Sequence, residues 1–227
     1  MTVHINDKFQ YLRQLTQMVA MGTAPSLIIT GEGGLGKTYT VTSTLNDHCF
    51  IEGEDYVHFK GYSTARGLYN TLYDNNGKTL ILDDFDSVLE DKVAINILKS
   101  ALDSYDVRKV TWGSMKAGDK YPNTFEFTGR IIFISNKSNK DIDQAIITRS
   151  LVVDLTMTAD EKIDRMNSII EDIMPNADIC AKIDALTYLD NNKNTIELSL
   201  RSLIKLTNII TSFPKNWEKL ANFMLKG

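Results

Sequence analysis

Several features that mark specialised protein classes are scarce in this chain. It has only two cysteines, Cys49 and Cys180, which form no C-x-x-C pair and favour a reducing compartment over a disulfide scaffold. Its three histidines, His4, His48 and His58, have no metal-ligand spacing. Four prolines and 13 glycines among 227 residues are too few for a disordered or fibrous protein.

Long apolar runs and excess positive charge are also missing. No run approaches the roughly 18 apolar residues of a membrane span, and the first residues lack the basic and apolar regions of a secretory leader. The net charge of -4 argues against a general polyanion binder and confines any nucleic-acid contact to a local patch. We therefore expect a cytoplasmic protein with no membrane partner.

The most informative stretch is a glycine-rich loop that follows an apolar run at 26–30 and precedes a helix-forming run. Its glycines let successive backbone N–H groups face an anion, and the following helix adds its own free N–H groups. Lys37 can then reach the β and γ phosphates of a nucleoside triphosphate, and the Thr38 hydroxyl can bind Mg²⁺. The residues predicted to bind the nucleotide are Gly31, Glu32, Gly33, Gly34, Leu35, Gly36, Lys37, Thr38 and Tyr39.

The same glycines allow a second interpretation. Gly31, Gly33 and Gly36 also form a G-x-G-x-x-G pattern, as in dinucleotide-binding proteins. That pattern requires an acidic residue at the end of the next strand, but the run at 56–60 ends in Lys60. It also leaves Lys37 without a role. The triphosphate site is therefore favoured.

Polar side chains end two later strand-like runs. The apolar run at 78–82 is followed by Asp83 and Asp84, the form of a Walker B strand. Asp83 would hold Mg²⁺, and Asp84 could orient or deprotonate the attacking water. Asn136 ends the run at 131–135, and in a parallel sheet it would lie beside Asp84, at the carboxyl ends of the strands.

The order of elements predicts the fold class. Fully apolar strands alternate with helices up to residue 156, which is typical of an α/β fold with a central parallel sheet flanked by helices. After residue 156 we find only helical patterns, opened by a Thr158-x-x-Glu161 capping box. We expect an ATPase core at 1–156 and a small all-helical lid at 157–227.

Together these motifs resemble those of AAA+ P-loop ATPases, in particular ones encoded by bacteriophages, over nearly the whole chain. The resemblance implies ATP with Mg²⁺ and a homo-oligomeric, hexameric ring in the cytoplasm of a bacterial host. It also implies that Asn136 is sensor 1, that Arg149 in Asp143-x-Ala145-x-x-x-Arg149 is the arginine finger, and that Arg201 is the sensor 2 arginine. Lys37, Asp84, Asn136, Arg149 and Arg201 are thus the predicted catalytic residues. Asp84 stands where the family usually has glutamate.

An insert before the Asn136 strand has the pattern of a β-hairpin, with strands at 107–112 and 124–127. It resembles the pre-sensor 1 hairpin of superfamily III viral helicases and Holliday-junction motors. Its loop region is locally basic, and an aromatic ring among lysines suits single-stranded DNA. The basic residues are Arg108, Lys109, Lys116 and Lys120 against Asp119, and Lys116, Lys120 and Tyr121 are the predicted DNA contacts.

The resemblance implies a helicase or translocase of DNA replication. Two other functions stay open. One is an ATP-dependent loader or adaptor that delivers a replication protein to DNA, and the other is a protein-remodelling ATPase. ATPase stimulation by single-stranded DNA would favour the motor, and stimulation only by a protein partner would favour the loader.

Overall fold

The computed structural model describes residues 3–103, 106–113 and 120–226. These residues form nine α-helices and seven β-strands, which alternate from the first helix to the fourth strand. The strands are β1 Ser26–Thr30, β2 Tyr56–Lys60, β3 Thr79–Asp83, β4 Lys109–Thr111, β5 Thr124–Glu126, β6 Arg130–Ile134 and β7 Leu151–Asp154. The helices are α1 Ile5–Ala20, α2 Lys37–Asp47, α3 Ala65–Asp74, α4 Lys92–Ala101, α5 Gln144–Ile147, α6 Ala159–Ser168, α7 Ile179–Asn191, α8 Leu200–Ser212 and α9 Trp217–Lys226.

Among the described residues, five strands form one parallel sheet in the order β2-β3-β6-β1-β7. Every residue of β1 and β3 is buried, as expected of continuous apolar strands covered on both faces. The edge strands β2 and β7 are partly exposed. The predicted α/β fold with a central parallel sheet is confirmed.

The core packs the helices α3 and α4 against the sheet. Leu68 on α3, Leu80 on β3, Ile97 on α4 and Phe133 on β6 belong to one buried cluster. Within the described ranges, no helix is both long and apolar enough to cross a lipid bilayer.

Side-chain caps set the starts of several helices. The Thr158 hydroxyl accepts the N–H of Glu161, and the Glu161 carboxylate accepts the N–H of Thr158, so the predicted capping box is present at α6. The Ser199 side chain caps α8 by accepting the N–H of Ser202 at 3.1 Å.

The chain divides into two compact units. The α/β unit comprises Phe9–Gly31 and Lys37–Leu155, and the helical unit comprises Met1–Lys8, Glu32–Gly36 and Thr156–Gly227. The tip of the glycine-rich loop is thus grouped with the C-terminal helices. The boundary between 156 and 157 stays a prediction.

The insert forms an antiparallel hairpin of β4 and β5, in which Lys109 pairs with Glu126. Both strands are shorter than predicted. Gly129 links the hairpin to β6 at a crowded point, where a Cβ atom would lie 2.8 Å from the Lys78 carbonyl oxygen and 2.7 Å from the Phe127 ring. Only glycine fits there without displacing its neighbours.

Candidate nucleotide-binding site

Lys37 begins α2 directly after the glycine-rich loop and is 5% exposed. Its ammonium group donates to the Gly31 carbonyl oxygen, and it also donates to Oδ1 of Asn136 at 3.0 Å. A lysine so deeply buried needs oxygen acceptors around its charge. The structure thus brings two predicted site residues, Lys37 and Asn136, into contact.

Thr38 and Asp83 meet at the adjoining point of the same sheet edge. The Thr38 hydroxyl donates to Oδ2 of Asp83 at 2.9 Å. Nε2 of His58 lies 3.2 Å from the same oxygen, and Nζ of Lys60 lies 4.0 Å from it. Both predicted metal-binding side chains are therefore adjacent, and β2 adds two nitrogen-bearing groups beside them.

Asp84 follows β3 with a backbone φ of 58°, a left-handed conformation that is uncommon for residues other than glycine. Its N–H donates to the Ile134 carbonyl oxygen at 3.1 Å, which holds the turn against β6. Oδ1 of Asp84 accepts a hydrogen bond of 2.9 Å from Nδ2 of Asn136. Asn136 therefore connects Lys37 on one side to Asp84 on the other.

The loop after β6 is fastened at several points. The Ser135 hydroxyl donates to Asp86 at 2.5 Å, and the Thr30 hydroxyl at the end of β1 donates to Asn139 at 2.8 Å. Lys137 pairs with Glu90 at 2.5 Å, and that hydrogen bond raises the pKa of the Lys137 ammonium. These contacts fix the backbone from which Asn136 projects.

Arg201 lies in the helical unit, one residue into α8. Gly34 of the glycine-rich loop accepts the N–H of Leu200 at 2.8 Å, and a Cβ atom on Gly34 would lie 3.1 Å from Cβ of Ser199 and 3.9 Å from Cδ of Arg201. In the same unit, Glu32 forms an ion pair with Lys162 on α6. The predicted sensor 2 arginine thus lies near Gly34 within the same unit.

Arg149 is not brought to the other predicted catalytic residues of the α/β unit. It precedes β7, so it lies at the amino end of the sheet, whereas Asp84 and Asn136 follow the carboxyl ends of their strands. Its guanidinium donates to the Ala145 carbonyl oxygen at 2.9 Å, and among the described residues its buried Nε has no hydrogen-bond partner. Within one chain, Arg149 therefore lies at the amino ends of the strands, whereas Asp84 and Asn136 lie at their carboxyl ends.

The hairpin residues are engaged by α3. The Tyr121 hydroxyl donates to Asp74 at 2.8 Å, and its ring packs edge-on against Tyr73 at 5.6 Å between centroids. Nζ of Lys120 lies 3.5 Å from Asp74 and 4.9 Å from the centre of the Tyr121 ring. Lys116, the third predicted DNA contact, lies outside the described residues.

The charge count from the sequence includes Arg108 in the basic loop. In the structure, Arg108 does not belong to that loop. Its guanidinium donates to the carbonyl oxygens of Ala101 at 3.0 Å and Gly129 at 2.8 Å and lies over the Phe127 ring. Burial, with the charge of Arg130, lowers the pKa of this guanidinium. Its role is structural, because it ties the hairpin to α4 and to the start of β6.

The contacts of His58 with Asp83 and of Lys162 with Glu32 were missed from the sequence. The spacing of His58 in the sequence indicates no metal ligand and gives no sign of its contact with Asp83. The pairing of β2 with β3 places Lys60 opposite Asp83, and His58, two residues earlier, shares the face of Lys60. A prediction that β2 lies beside β3 would have revealed the contact between His58 and Asp83. Nothing in the sequence signals the Lys162 pair.

Comparison with known proteins gives one relative and a set of similar structures. An uncharacterised 36.7 kDa protein of Enterobacteria phage T4, from the nrdC-mobD intergenic region, is 30% identical over 245 residues, which cover 97% of this chain and 74% of that protein. No protein-family model matches the chain.

The structural matches have the AAA+ fold. The Holliday junction branch migration motor RuvB of Thermotoga maritima gives a TM-score of 0.55 at 14% identity, and the match covers 91% of this chain and 61% of the RuvB chain. NtrX of Brucella abortus, solved in complex with ATP, gives 0.50 at 16% identity, covering 83% of this chain and 48% of NtrX. The chain thus spans less than two thirds of these proteins. The match confirms the predicted AAA+ fold.

Proposed function

This chain belongs to the same protein family as the phage T4 36.7 kDa protein, and from its AAA+ fold and its site geometry we propose that it is an ATP-hydrolysing motor that acts as a ring on DNA. The observation that carries the ATPase proposal is the pair of contacts at the sheet edge. Thr38 meets Asp83, and Asn136 joins Lys37 to Asp84. These are the groups that phosphoryl transfer to water requires.

The residues fit ATP and Mg²⁺. The Thr38 hydroxyl donates its single hydrogen in a hydrogen bond to Asp83. Its oxygen has two lone pairs, one of which can face a cation. Carboxylate and hydroxyl oxygens are ligands that Mg²⁺ prefers. The ammonium of Lys37 contacts oxygen acceptors, and phosphate oxygens can replace them. Bound Mg²⁺ would neutralise charge on the β and γ phosphates.

The remaining residues would act on the attacking water and the transferred group. Asp84 would orient the water and accept its proton, while Asn136 holds the Asp84 carboxylate at 2.9 Å. Arg201, beside Gly34, would contact phosphate from the lid. Because the chemistry is mainly positioning and charge stabilisation, the fixed geometry of Asn136 suits it.

The position of Arg149 supports a ring. An arginine at the amino edge of the sheet is remote from the Lys37 site of its own chain, so a finger role requires the nucleotide of a neighbouring copy. We therefore propose a homo-oligomer, a hexameric ring, in the cytoplasm of a bacterial host cell.

DNA is the proposed substrate. The support is the hairpin next to the Asn136 strand, which resembles that of superfamily III helicases, and the likeness to RuvB, which is a branch migration motor. We propose a helicase or translocase role in phage-type replication, with Lys116, Lys120 and Tyr121 as contacts to single-stranded DNA.

One observation favours a second candidate. Lys120 and Tyr121 already pair with Asp74, so they are less available to a nucleic acid than the sequence implies. An ATP-dependent loader that delivers a replication protein to DNA, or a protein-remodelling ATPase, needs no such hairpin contact.

The test is ATP hydrolysis by the purified chain with and without single-stranded DNA, together with electron microscopy in the presence of an ATP analogue. We expect rings and DNA stimulation. In the double variant Lys116→Ala with Lys120→Ala, basal hydrolysis should persist and stimulation should be lost. The logarithmic salt slope of DNA binding should flatten by about 0.7 for each phosphate contact removed. An unchanged slope would move the assignment to the loader or the remodelling ATPase.

A further inference from the structure

His58 faces Asp83 from the neighbouring strand. β2 and β3 pair in parallel, with Lys60 opposite Asp83, and side chains two residues apart in a strand lie on the same face. His58 and Lys60 therefore both project toward the Asp83 carboxylate.

The two contacts differ in distance and in exposure. Nε2 of His58 is 3.2 Å from Oδ2 of Asp83, and the side chains are 12% and 8% exposed. Nζ of Lys60 is 4.0 Å from the same oxygen, and its side chain is 65% exposed. A hydrogen bond shielded from water is stronger than a longer contact screened by it. His58 is therefore the neighbour on β2 that can fix the orientation of this carboxylate.

All of these contacts fall on a single oxygen. Oδ2 of Asp83 receives the Thr38 hydroxyl at 2.9 Å and also faces His58 and Lys60. Restraint of Oδ2 from two sides sets the rotation of the carboxylate about its Cβ–Cγ bond. The second oxygen, Oδ1, then has a defined direction.

We propose that His58 is a positioning residue for the metal site. With its proton on Nε2, it donates to Oδ2 of Asp83 and so directs Oδ1 toward a Mg²⁺ ion that accompanies ATP. Groups that hydrogen-bond a metal ligand orient it and tune its affinity, and their loss typically weakens metal binding by about 10-fold to 100-fold. This inference rests on the proposed ATPase function.

The experiment uses the full chain and measures metal binding directly. Mn²⁺ serves as the probe, and its binding in the presence of a non-hydrolysable ATP analogue is followed by electron paramagnetic resonance. Affinity for the analogue in EDTA is measured alongside. The variants are His58→Ala and His58→Gln, since the glutamine amide nitrogen can reach where Nε2 lies. The control is His48→Gln, because His48 is an exposed histidine at the end of α2 that contacts the Thr44 carbonyl oxygen.

We expect His58→Ala to weaken Mn²⁺ binding about tenfold while affinity for the analogue in EDTA stays unchanged, and His58→Gln to restore most of the loss. His48→Gln should match the parent. Equal Mn²⁺ affinity in His58→Ala and the parent would overturn the inference. So would an equal loss of analogue affinity in EDTA, or no recovery in His58→Gln, because either result indicates general damage to the fold. A parent that binds no analogue would instead refute the proposed function, and the inference with it.

Discussion

The carboxyl edge of the sheet and the β4–β5 hairpin both carry residues selected from sequence motifs, but they differ in what those side chains contact. At the sheet edge the selected side chains contact one another, as when Asn136 joins Lys37 to Asp84. At the hairpin, the described side chains Lys120 and Tyr121 contact Asp74 and Tyr73 of α3.

The difference has a physical origin. Parallel strands deliver their last residues to one edge, so groups that end adjacent strands must converge whatever else surrounds them. A hairpin imposes no such convergence. Its exposed side chains take whichever partner lies nearby, and α3 supplies an acid and aromatic rings. Charge and aromaticity alone therefore predict a binding surface less securely than strand ends predict a site.

Loss of Lys37 should have the largest effect. Lys37→Ala removes the buried ammonium that would pair with the β and γ phosphates, and we expect nucleotide binding or turnover to fall to background. Equilibrium binding of a fluorescent ATP analogue and phosphate release measure this. Lys219→Ala, an exposed lysine on α9, is the matched control. Normal hydrolysis by Lys37→Ala would refute the P-loop assignment.

Arg149→Ala tests whether Arg149 of one copy completes the nucleotide-binding site of a neighbouring copy. Turnover should fall by about 10³ or more, with nucleotide affinity nearly intact. Mixing this variant with Lys37→Ala should restore part of the activity, because some interfaces then combine an intact Lys37 with an intact Arg149. A monomer in sedimentation, with no recovery at any mixing ratio, would exclude a finger that acts between copies.

Asp84→Asn separates binding from chemistry at the sheet edge. The amide keeps the size of the side chain but cannot accept a proton, so hydrolysis should slow by roughly 10²-fold or more while ATP stays bound. Single-turnover kinetics with a binding measurement distinguish the two steps. If Asp84→Asn hydrolyses ATP at the parental rate, Asp84 is not the base.

We expect the smallest effect from substitution of Tyr121, on the affinity for single-stranded DNA. This substitution tests the proposed role of the hairpin most directly. If its ring stacks on a base, Tyr121→Ala should weaken single-stranded DNA binding by roughly 1–3 kcal/mol, and Tyr121→Phe should keep the affinity. Fluorescence anisotropy and thermal melting are measured on both variants. A lower melting temperature with unchanged DNA affinity in Tyr121→Ala would mean that the ring serves only the packing against Tyr73.

Much of the fold could be predicted from sequence because its determinants are local. The continuous apolar runs define buried strands, and the capping box at Thr158 defines a helix start. The contact of Asn136 with Asp84 agrees with the expected side-by-side placement, whereas its contact with Lys37 was not expected. Their catalytic roles, like those of Arg149 and Arg201, stay predictions.

What could not be predicted depends on which elements become neighbours. The His58 contact with Asp83 requires β2 to lie beside β3, and no local pattern encodes that order. The Arg108 assignment was wrong because a count of charges does not tell which way a side chain points. Its guanidinium satisfies the Ala101 and Gly129 carbonyls instead of facing solvent.

The crowded position of Gly129 has a mechanical consequence. The hairpin joins β6 where there is no space for a larger residue, and the Arg108 guanidinium donates a hydrogen bond to the Gly129 carbonyl oxygen. β6 itself is hydrogen-bonded to β3 and β1 along its length. The hairpin and Asn136 flank a strand of about 17 Å, the length of five strand residues. If the hairpin binds a substrate, as proposed, a force on it would act along β6 toward Asn136 and on the two strands paired with β6.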